Sequence, residues 1–216
     1  MLKATQIESA AGAEWLGDLH PLLAQLGSLD GLVTLGAVSA SLQMQPVNDP
    51  SALRLFLQNY ASQILLPLEL ASLQRAHGHA SRNELSELVA LDQRLTREPI
   101  LRDFAAASRR IGQYQLQRLR PLRDQRFVQR YLQAVEQGDA HGWHILVYGV
   151  TLALYSLPLR QGLCGYARQT LRGFIHAAAR PLQLSEIDCQ ELLEELCAGL
   201  PRYLETLLPV TNGAEN

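Results

Sequence analysis

The residues in this sequence best suited to chemistry are arginines in its middle third. Between Arg94 and Arg130 there are ten arginines against three acidic residues, although the whole chain has a net charge of −2. Guanidinium groups form forked hydrogen bonds with carboxylates and phosphates, so the run is compatible with a partner-binding surface, internal ion pairs or a solvated helix face. A codon bias towards arginine would give the same composition, so composition alone leaves these alternatives open.

Nucleic acid is the first partner that a basic run suggests, because phosphate contacts need a basic face. Binding to single strands also uses exposed aromatic platforms, whereas Phe104, Tyr114 and Phe127 are spaced as in a helical core. The rest of the chain has an excess of nine negative charges, which repels a polyanion. We therefore expect no nucleic-acid binding.

Histidine and cysteine offer little metal chemistry here. The pairs His77–His79 and His141–His144 contain a common type of metal ligand, and the second pair has i,i+3 spacing. Neither pair has a cysteine or carboxylate at a recognised ligand spacing, and helix-end histidines are the simpler interpretation. The three cysteines form no C-x-x-C pair and predict free thiols in a reducing compartment. We expect no metal site and no cofactor.

Catalytic motifs are also missing from the sequence. It contains neither a G-x-S-x-G nucleophile elbow nor a G-x-x-x-x-G-K-[ST] phosphate loop. Glu191, Glu194 and Glu195 fall on the polar side of an amphipathic pattern, where carboxylates solvate a helix. The sequence therefore predicts a protein that is not an enzyme, with a small helical enzyme using buried carboxylates or histidines as the competing hypothesis.

The elements that must position these residues are all predicted to be helices. Asp49-Pro50 combines an N-cap with a first-turn proline, and Ser81–Glu84 has the spacing of a capping box. Ser185–Asp188 is expected to cap the last amphipathic helix. Gly138 is placed to end a helix, and Pro67 is expected to kink or divide one. Strand-like alternation is absent, so we predict an all-α fold.

Size and composition favour one domain. The chain has 216 residues, 47% of them hydrophobic, and shows neither a linker nor a repeat. We expect a single-domain bundle of about eight to ten helices over residues 1–208, interrupted near the glycine-laced Leu26–Gln43, and a flexible tail over residues 209–216. The N-terminus lacks a signal-peptide core and the apolar run Ile145–Leu159 is short for a membrane span, so a cytoplasmic protein without membrane association is predicted.

Three segments, taken in order, resemble the UreF family of urease accessory proteins. The first matches an arginine-glutamate start followed by A-S-R-x-[ML]-G, through Arg97, Glu98, Arg102, Ala107, Ser108, Arg109, Ile111 and Gly112. Gly142–Leu159 is similar to the family's G-H-x-x-V-x-[FY]-G followed by A-L-G-L-P-L. Arg180–Leu193 aligns without a gap on a third motif that retains Arg180, Asp188 and Gln190.

The resemblance extends over about Leu22 to Leu208 and includes clear departures. Trp143 stands where the family has a histidine, and Leu26–Gln43 resembles the first family motif only in length and glycine placement. The basic tail usual in the family is not found after the last helix. The sequence thus resembles a divergent member that lacks the usual C-terminal tail.

This resemblance implies an all-α, non-enzymatic homodimer that binds a UreD/UreH-type accessory protein, a UreG-type GTPase and apo-urease. Its implied role is to assist nickel insertion into apo-urease by regulating the GTPase. The implied partner-binding residues are Arg97, Glu98, Arg102, Ser108, Arg109, Arg180, Asp188 and Gln190. Internal pairing of these arginines, for example with Glu98 or Asp188, remains an alternative. So does a helical interaction module without a urease role.

Overall fold

The computed structural model describes residues 47–208, and these residues form helices without any strand. The all-α prediction is therefore confirmed. Nine α-helices follow one another in the described part: α1 (Pro50–Tyr60), α2 (Ala71–Ser81), α3 (Leu85–Arg97), α4 (Ala105–Arg118), α5 (Arg126–Gln137), α6 (His144–Leu154), α7 (Leu159–Ala179), α8 (Glu186–Cys197) and α9 (Leu200–Leu207). A π-helix, Ala61–Leu70, joins α1 to α2, and a 3-10 helix, Pro99–Phe104, precedes α4. Leu26–Gln43 and residues 209–216 lie outside the described residues.

Helix α1, the π-helix and α2 form one continuous rod from Pro50 to Ser81. The rod begins as predicted, because the Asp49 carboxylate accepts a hydrogen bond of 2.8 Å from the backbone N–H of Ala52. Pro67 lies inside the π-helix and does not divide the rod. Proline cannot donate the usual i→i−4 hydrogen bond, and the wider π winding carries the chain past it.

The core is built around α6, which packs against α2 on one side and α4 on another. Nine consecutive residues of α6, numbered 144–152, are buried. A Cβ at Gly149 would lie 2.6 Å from the carbonyl oxygen of Leu73, so glycine lets α2 and α6 approach closely. The apolar run that includes α6 is thus a core helix, as expected.

The two C-terminal helices, α8 and α9, both pack against α7. Helix α8 packs on α7 and α1, and α9 also packs on α7. Two hydrogen bonds tie α9 back to the rod: Gln74 Nε2 donates to Leu207 O at 2.9 Å, and the Tyr203 hydroxyl donates to Leu66 O at 2.6 Å. The last helix is therefore tied directly to the π-helix and α2.

No helix among residues 47–208 is both long enough and apolar enough to cross a bilayer.

Candidate functional site

Two of the segments singled out in the sequence pack against each other at the junction of α4 with the residues before α6. Gly112 on α4 is buried there, and a Cβ at this position would lie 2.0 Å from Gly142 O and 2.6 Å from His144 N. Real Cβ atoms do not approach a backbone oxygen so closely. Glycine at position 112 therefore allows α4 to rest directly on the backbone that leads into α6.

Arg109 lies at the edge of this junction, above a buried tryptophan. Its guanidinium carbon is 5.1 Å from the centre of the Trp143 ring, a cation–π distance. The Trp143 indole N–H donates to the Thr96 hydroxyl at 3.0 Å, and that hydroxyl donates to Asp92 O at 3.0 Å. This chain of hydrogen bonds orients the indole, and the guanidinium of Arg109 lies over its ring.

Two buried polar atoms of this motif have no hydrogen-bond partner among the described residues: the Ser108 hydroxyl oxygen and Nε of Arg109. Unpaired buried polar atoms are costly and uncommon in folded proteins. Ser108 is 3% exposed, whereas Arg109 is half-buried. Ser108 and Arg109 are therefore held in place mainly by packing.

A buried aspartate, Asp92, organises the same junction. One carboxylate oxygen accepts hydrogen bonds from the Tyr131 hydroxyl at 2.8 Å and from Gly142 N at 2.9 Å. The other accepts from His141 N at 2.7 Å. Asp92 therefore connects α3, α5 and the segment before α6 through one side chain.

Sequence reasoning missed Asp92, although a signal was present. It stands four residues after Leu88 and three before Leu95, on the stripe of α3 that is otherwise apolar. An acid on an apolar stripe indicates either a buried hydrogen-bonding hub or an interface. Here the structure shows the hub.

The eight predicted partner-binding residues fall into two separate groups. Residues 97–109 run from the end of α3 into α4, where Arg97 and Arg102 are exposed, Glu98 is half-buried and Ser108 is buried. Arg180, Asp188 and Gln190 are all exposed near the turn between α7 and α8. Helix α4 packs on α5 and α6, whereas α8 packs on α7 and α1, so the predicted residues do not form one continuous motif.

The described side chains show no internal ion pair for these arginines. Among residues 47–208, leaving aside the side chains of residues 103, 104 and 107, Arg97, Arg102, Arg109 and Arg180 make no salt bridge with a carboxylate. Asp188 is used locally instead, because it accepts hydrogen bonds from the backbone N–H and the hydroxyl of Ser185 in a capping box. Those hydrogen bonds hold the pKa of Asp188 below its usual value.

A shallow groove between α7 and α8 adjoins the second group. It is lined by Arg172, Ile175, His176, Glu186, Cys189, Gln190 and Leu193. Arg172 Nε donates to His176 Nε2 at 3.2 Å, and Gln190 Nε2 donates to Glu194 Oε1 at 2.6 Å. Each of these polar pairs lies within one helix, the first on α7 and the second on α8.

Histidines and cysteines do not converge on a metal-binding arrangement in the described part of the chain, where no three His, Cys, Asp or Glu side chains are suitably placed. His141 precedes α6 and His144 begins it, so they do not share a helix face as their spacing suggested. Of the other pair, His79 lies in the last turn of α2 and hydrogen-bonds with Glu84. Hydrogen bonds from Arg82 and His79 hold the pKa of Glu84 at about 2. Burial raises the pKa of the Cys197 thiol to about 11, so that thiol is unreactive at neutral pH.

Both segments lie within a region that matches a known protein family. The model of the UreF family matches residues 47–197, about two thirds of the chain. The chain belongs to the UreF family. The match includes both α4 with its arginine motif and the residues from 142 to 159 that pack on it.

A curated UreF protein supports the same assignment over a longer range. The chain is 23% identical to a protein named urease accessory protein UreF from Actinobacillus pleuropneumoniae, over 196 residues that cover 86% of each chain. The predicted UreF resemblance is thus confirmed. Low identity over nearly full length agrees with the divergence seen in the motifs.

Proposed function

We propose that this protein is a urease accessory factor that acts by binding other maturation proteins and not by catalysing a reaction. The match to the UreF family over residues 47–197 carries this proposal. The related protein named as a urease accessory protein supports it. Its partners in this proposal are a UreD/UreH-type accessory protein, a UreG-type GTPase and apo-urease, and it acts as a homodimer in the cytoplasm. Nickel is cargo for the assembly, delivered to apo-urease under control of the GTPase.

The unpaired arginines support a mechanism based on binding. Of the ten arginines between Arg94 and Arg130, the described residues pair Arg120 alone with a carboxylate, that of Glu136. Most of the others are exposed: Arg94, Arg97, Arg102, Arg110, Arg118, Arg123, Arg126 and Arg130. We call the exposed side of residues 94–130 the basic surface. An acidic surface on a partner complements this charge and sets the orientation of the complex through forked hydrogen bonds.

An exposed aromatic side chain strengthens the basic surface as a docking site. The expectation that Tyr114 belongs to the core is wrong, because its side chain is 62% exposed on α4. It lies four residues after Arg110 and four before Arg118, so the three side chains share one stripe. Tyrosine and arginine are enriched among residues that dominate binding energy at interfaces. The stripe therefore supplies an apolar anchor flanked by two cations.

Charge reversal on the basic surface is expected to abolish co-purification with the GTPase. The test variant carries Arg97→Glu, Arg102→Glu and Arg110→Glu, three exposed positions without an ion pair in the described structure. Because a rim charge acts largely through association rate and like charges repel, we expect at least a tenfold loss of affinity. Affinity is measured by pull-down and calorimetry with the purified GTPase and UreD/UreH-type protein, and helicity by circular dichroism.

A matched control separates this surface from charge in general. Arg75→Glu, Arg168→Glu and Arg202→Glu make the same change in net charge at exposed positions on α2, α7 and α9. The control should keep its partners. Full binding by the folded test variant, or equal loss in both variants, would rule out the basic surface as the docking site.

The alternative function is a helical interaction module that has kept the fold without a urease role. It is motivated by Trp143, which stands where the family has a histidine and is tied into the core by Thr96 and Arg109. Loss of urease activity on deletion, restored by the wild-type chain, supports the accessory role. Unchanged urease activity supports the alternative.

A further inference from the structure

Four large apolar or aromatic side chains are exposed in the described part of the chain, and one of them has a distinctive setting. They are Leu55, Tyr114, Tyr155 and Ile187. Tyr114 has an arginine four residues before it and another four residues after it, whereas none of the other three has a cation three or four residues away on either side. Because residues four apart are neighbours on a helix surface, Tyr114 lies between two guanidinium groups.

Helix α4 keeps its core residues on the face opposite to this tyrosine. Ser108, Gly112 and Leu116 are buried at four-residue spacing and face the core. Tyr114 is two positions from both Gly112 and Leu116, which places it on the other side of the helix. The ring is therefore no part of the hydrophobic core, and its surface is free to contact a partner.

The exposed amides next to Tyr114 are engaged inside the molecule. Gln113 Nε2 donates to His141 O at 2.9 Å, and Gln117 Nε2 donates to Glu136 Oε1 at 3.2 Å. Both acceptors belong to α5 and to the segment that follows it. These hydrogen bonds hold the two amides beside the tyrosine, so the stripe is flanked by side chains that are already fixed.

The two arginines of the stripe have no such internal partner. Leaving aside the side chains of residues 103, 104 and 107, neither Arg110 nor Arg118 forms an ion pair with a described carboxylate. Among the described residues, no guanidinium lies over the ring of Tyr114 and no second ring packs on it. Two guanidinium forks and one phenol are thus the groups that this face offers to a partner.

The spacing of these groups defines the surface that fits them. Positions 110 and 118 are eight residues apart, which is about 12 Å along a helix axis. Each guanidinium is complemented by a carboxylate through forked hydrogen bonds. The ring is complemented by an apolar recess, with an acceptor at its edge for the hydroxyl. The matching surface therefore carries two acids at this separation with an apolar recess between them.

We infer that Tyr114 is the anchor of the complex with the UreG-type GTPase, seated in an apolar recess of that protein between two acids that pair with Arg110 and Arg118. The inference rests on the proposed function, in which the GTPase docks on the basic surface. Aromatic side chains at the centre of an interface dominate binding energy, so the tyrosine slows dissociation. The flanking arginines speed association and set the orientation of the complex.

Binding kinetics with the purified GTPase, measured by surface plasmon resonance, test the anchor. Tyr114→Ala is expected to raise Kd about 30-fold, mainly through faster dissociation. Tyr114→Phe keeps the ring and should raise Kd less than about fivefold. The matched control is Tyr155→Ala, which removes another exposed tyrosine at the end of α6 and should bind like the wild type. Circular dichroism checks that each variant is folded.

Salt dependence separates the arginines from the tyrosine. Arg110→Gln combined with Arg118→Gln should lower the association rate about tenfold at low salt, and the difference should shrink as salt is added. The defect of Tyr114→Ala should persist at high salt, because it comes from lost apolar contact. The control pair, Arg75→Gln with Arg168→Gln, removes the same charge from exposed positions on α2 and α7 and should leave the rate unchanged.

A photo-crosslinker at the same position locates the recess on the partner. Tyr114→p-benzoylphenylalanine should cross-link to the GTPase at apolar residues next to an acid, whereas the same replacement at Tyr155 should give no cross-link. If the wild type binds the GTPase and Tyr114→Ala binds equally well, or if Tyr155→Ala loses as much affinity, the anchor is overturned while the proposed function stands. A wild-type chain that does not bind the GTPase overturns both.

Discussion

A Gly112→Ala variant is expected to lose about 3 kcal/mol or more of unfolding free energy, because one added carbon overpacks the junction of α4 with the chain before α6. The new Cβ would lie 2.0 Å from Gly142 O and 2.7 Å from the carbonyl carbon of Trp143. Both neighbours are backbone atoms, so no side chain can rotate away. Either α4 or the segment before α6 must move, and that movement displaces Trp143 from its site.

Urea or thermal unfolding measures this loss, with Gly199→Ala as the control. Gly199 has φ of −84°, which alanine adopts readily, and nothing lies within 4 Å of its Cβ position. The control should change stability by less than about 1 kcal/mol. If Gly112→Ala matched the control, the close approach of α4 to Gly142 would be wrong.

Asp92→Ala is expected to cost about 3–5 kcal/mol, because it removes one acceptor from three donors at once. The Tyr131 hydroxyl and the N–H groups of His141 and Gly142 would remain buried without their partner. Tyr131→Phe removes a single hydrogen bond and should cost about 1 kcal/mol. The difference between the two variants measures how far Asp92 supports the backbone before α6.

Tryptophan emission gives a local readout for the same variant. Trp143 is fully buried and follows Gly142 directly, so loss of Asp92 should move its emission towards longer wavelength in the folded state. Near-equal costs for Asp92→Ala and Tyr131→Phe, with unchanged emission, would contradict the role of Asp92 as a hub.

Local signals in the sequence predicted helix ends well where a side chain caps its own helix. Asp49 and Ser185 cap α1 and α8 as expected, and Gly138 ends α5 with φ of +84°. The capping box predicted at Ser81–Glu84 is wrong. Ser81 is the last residue of α2 and donates to His77 O, because α2 continues to that point before the turn.

The site was less predictable than the helices, because its contacts join residues that are far apart in the sequence. Gly112 and Gly142 are 30 positions apart, and the demand for glycine arises only when α4 meets the second segment. The family resemblance brought both segments to attention without indicating that they touch. Likewise, spacing did not identify internal partners for the arginines: Asp188 hydrogen-bonds with Ser185, and Arg180 has no ion pair among the described residues.

Asp92 and Glu69 differ in a way that only the fold reveals. Both stand on helix faces that are otherwise apolar, so the sequence marks each as an acid in an apolar setting. What the sequence does not give is the number of donors that converge on each carboxyl. Among the described residues, three donors converge on Asp92, whereas Glu69, a buried acid of the π-helix, accepts one hydrogen bond, from the Tyr60 hydroxyl.

The enclosure of α6 affects how the molecule fluctuates. A helix buried along 144–152 and flanked by α2 and α4 cannot separate from either without exposing its whole apolar surface. Local openings are therefore confined to peripheral helices such as α9, while the interior opens only when the entire fold does. A partner protein that binds the outer surface could change the conformation of the peripheral helices while α6 keeps its position.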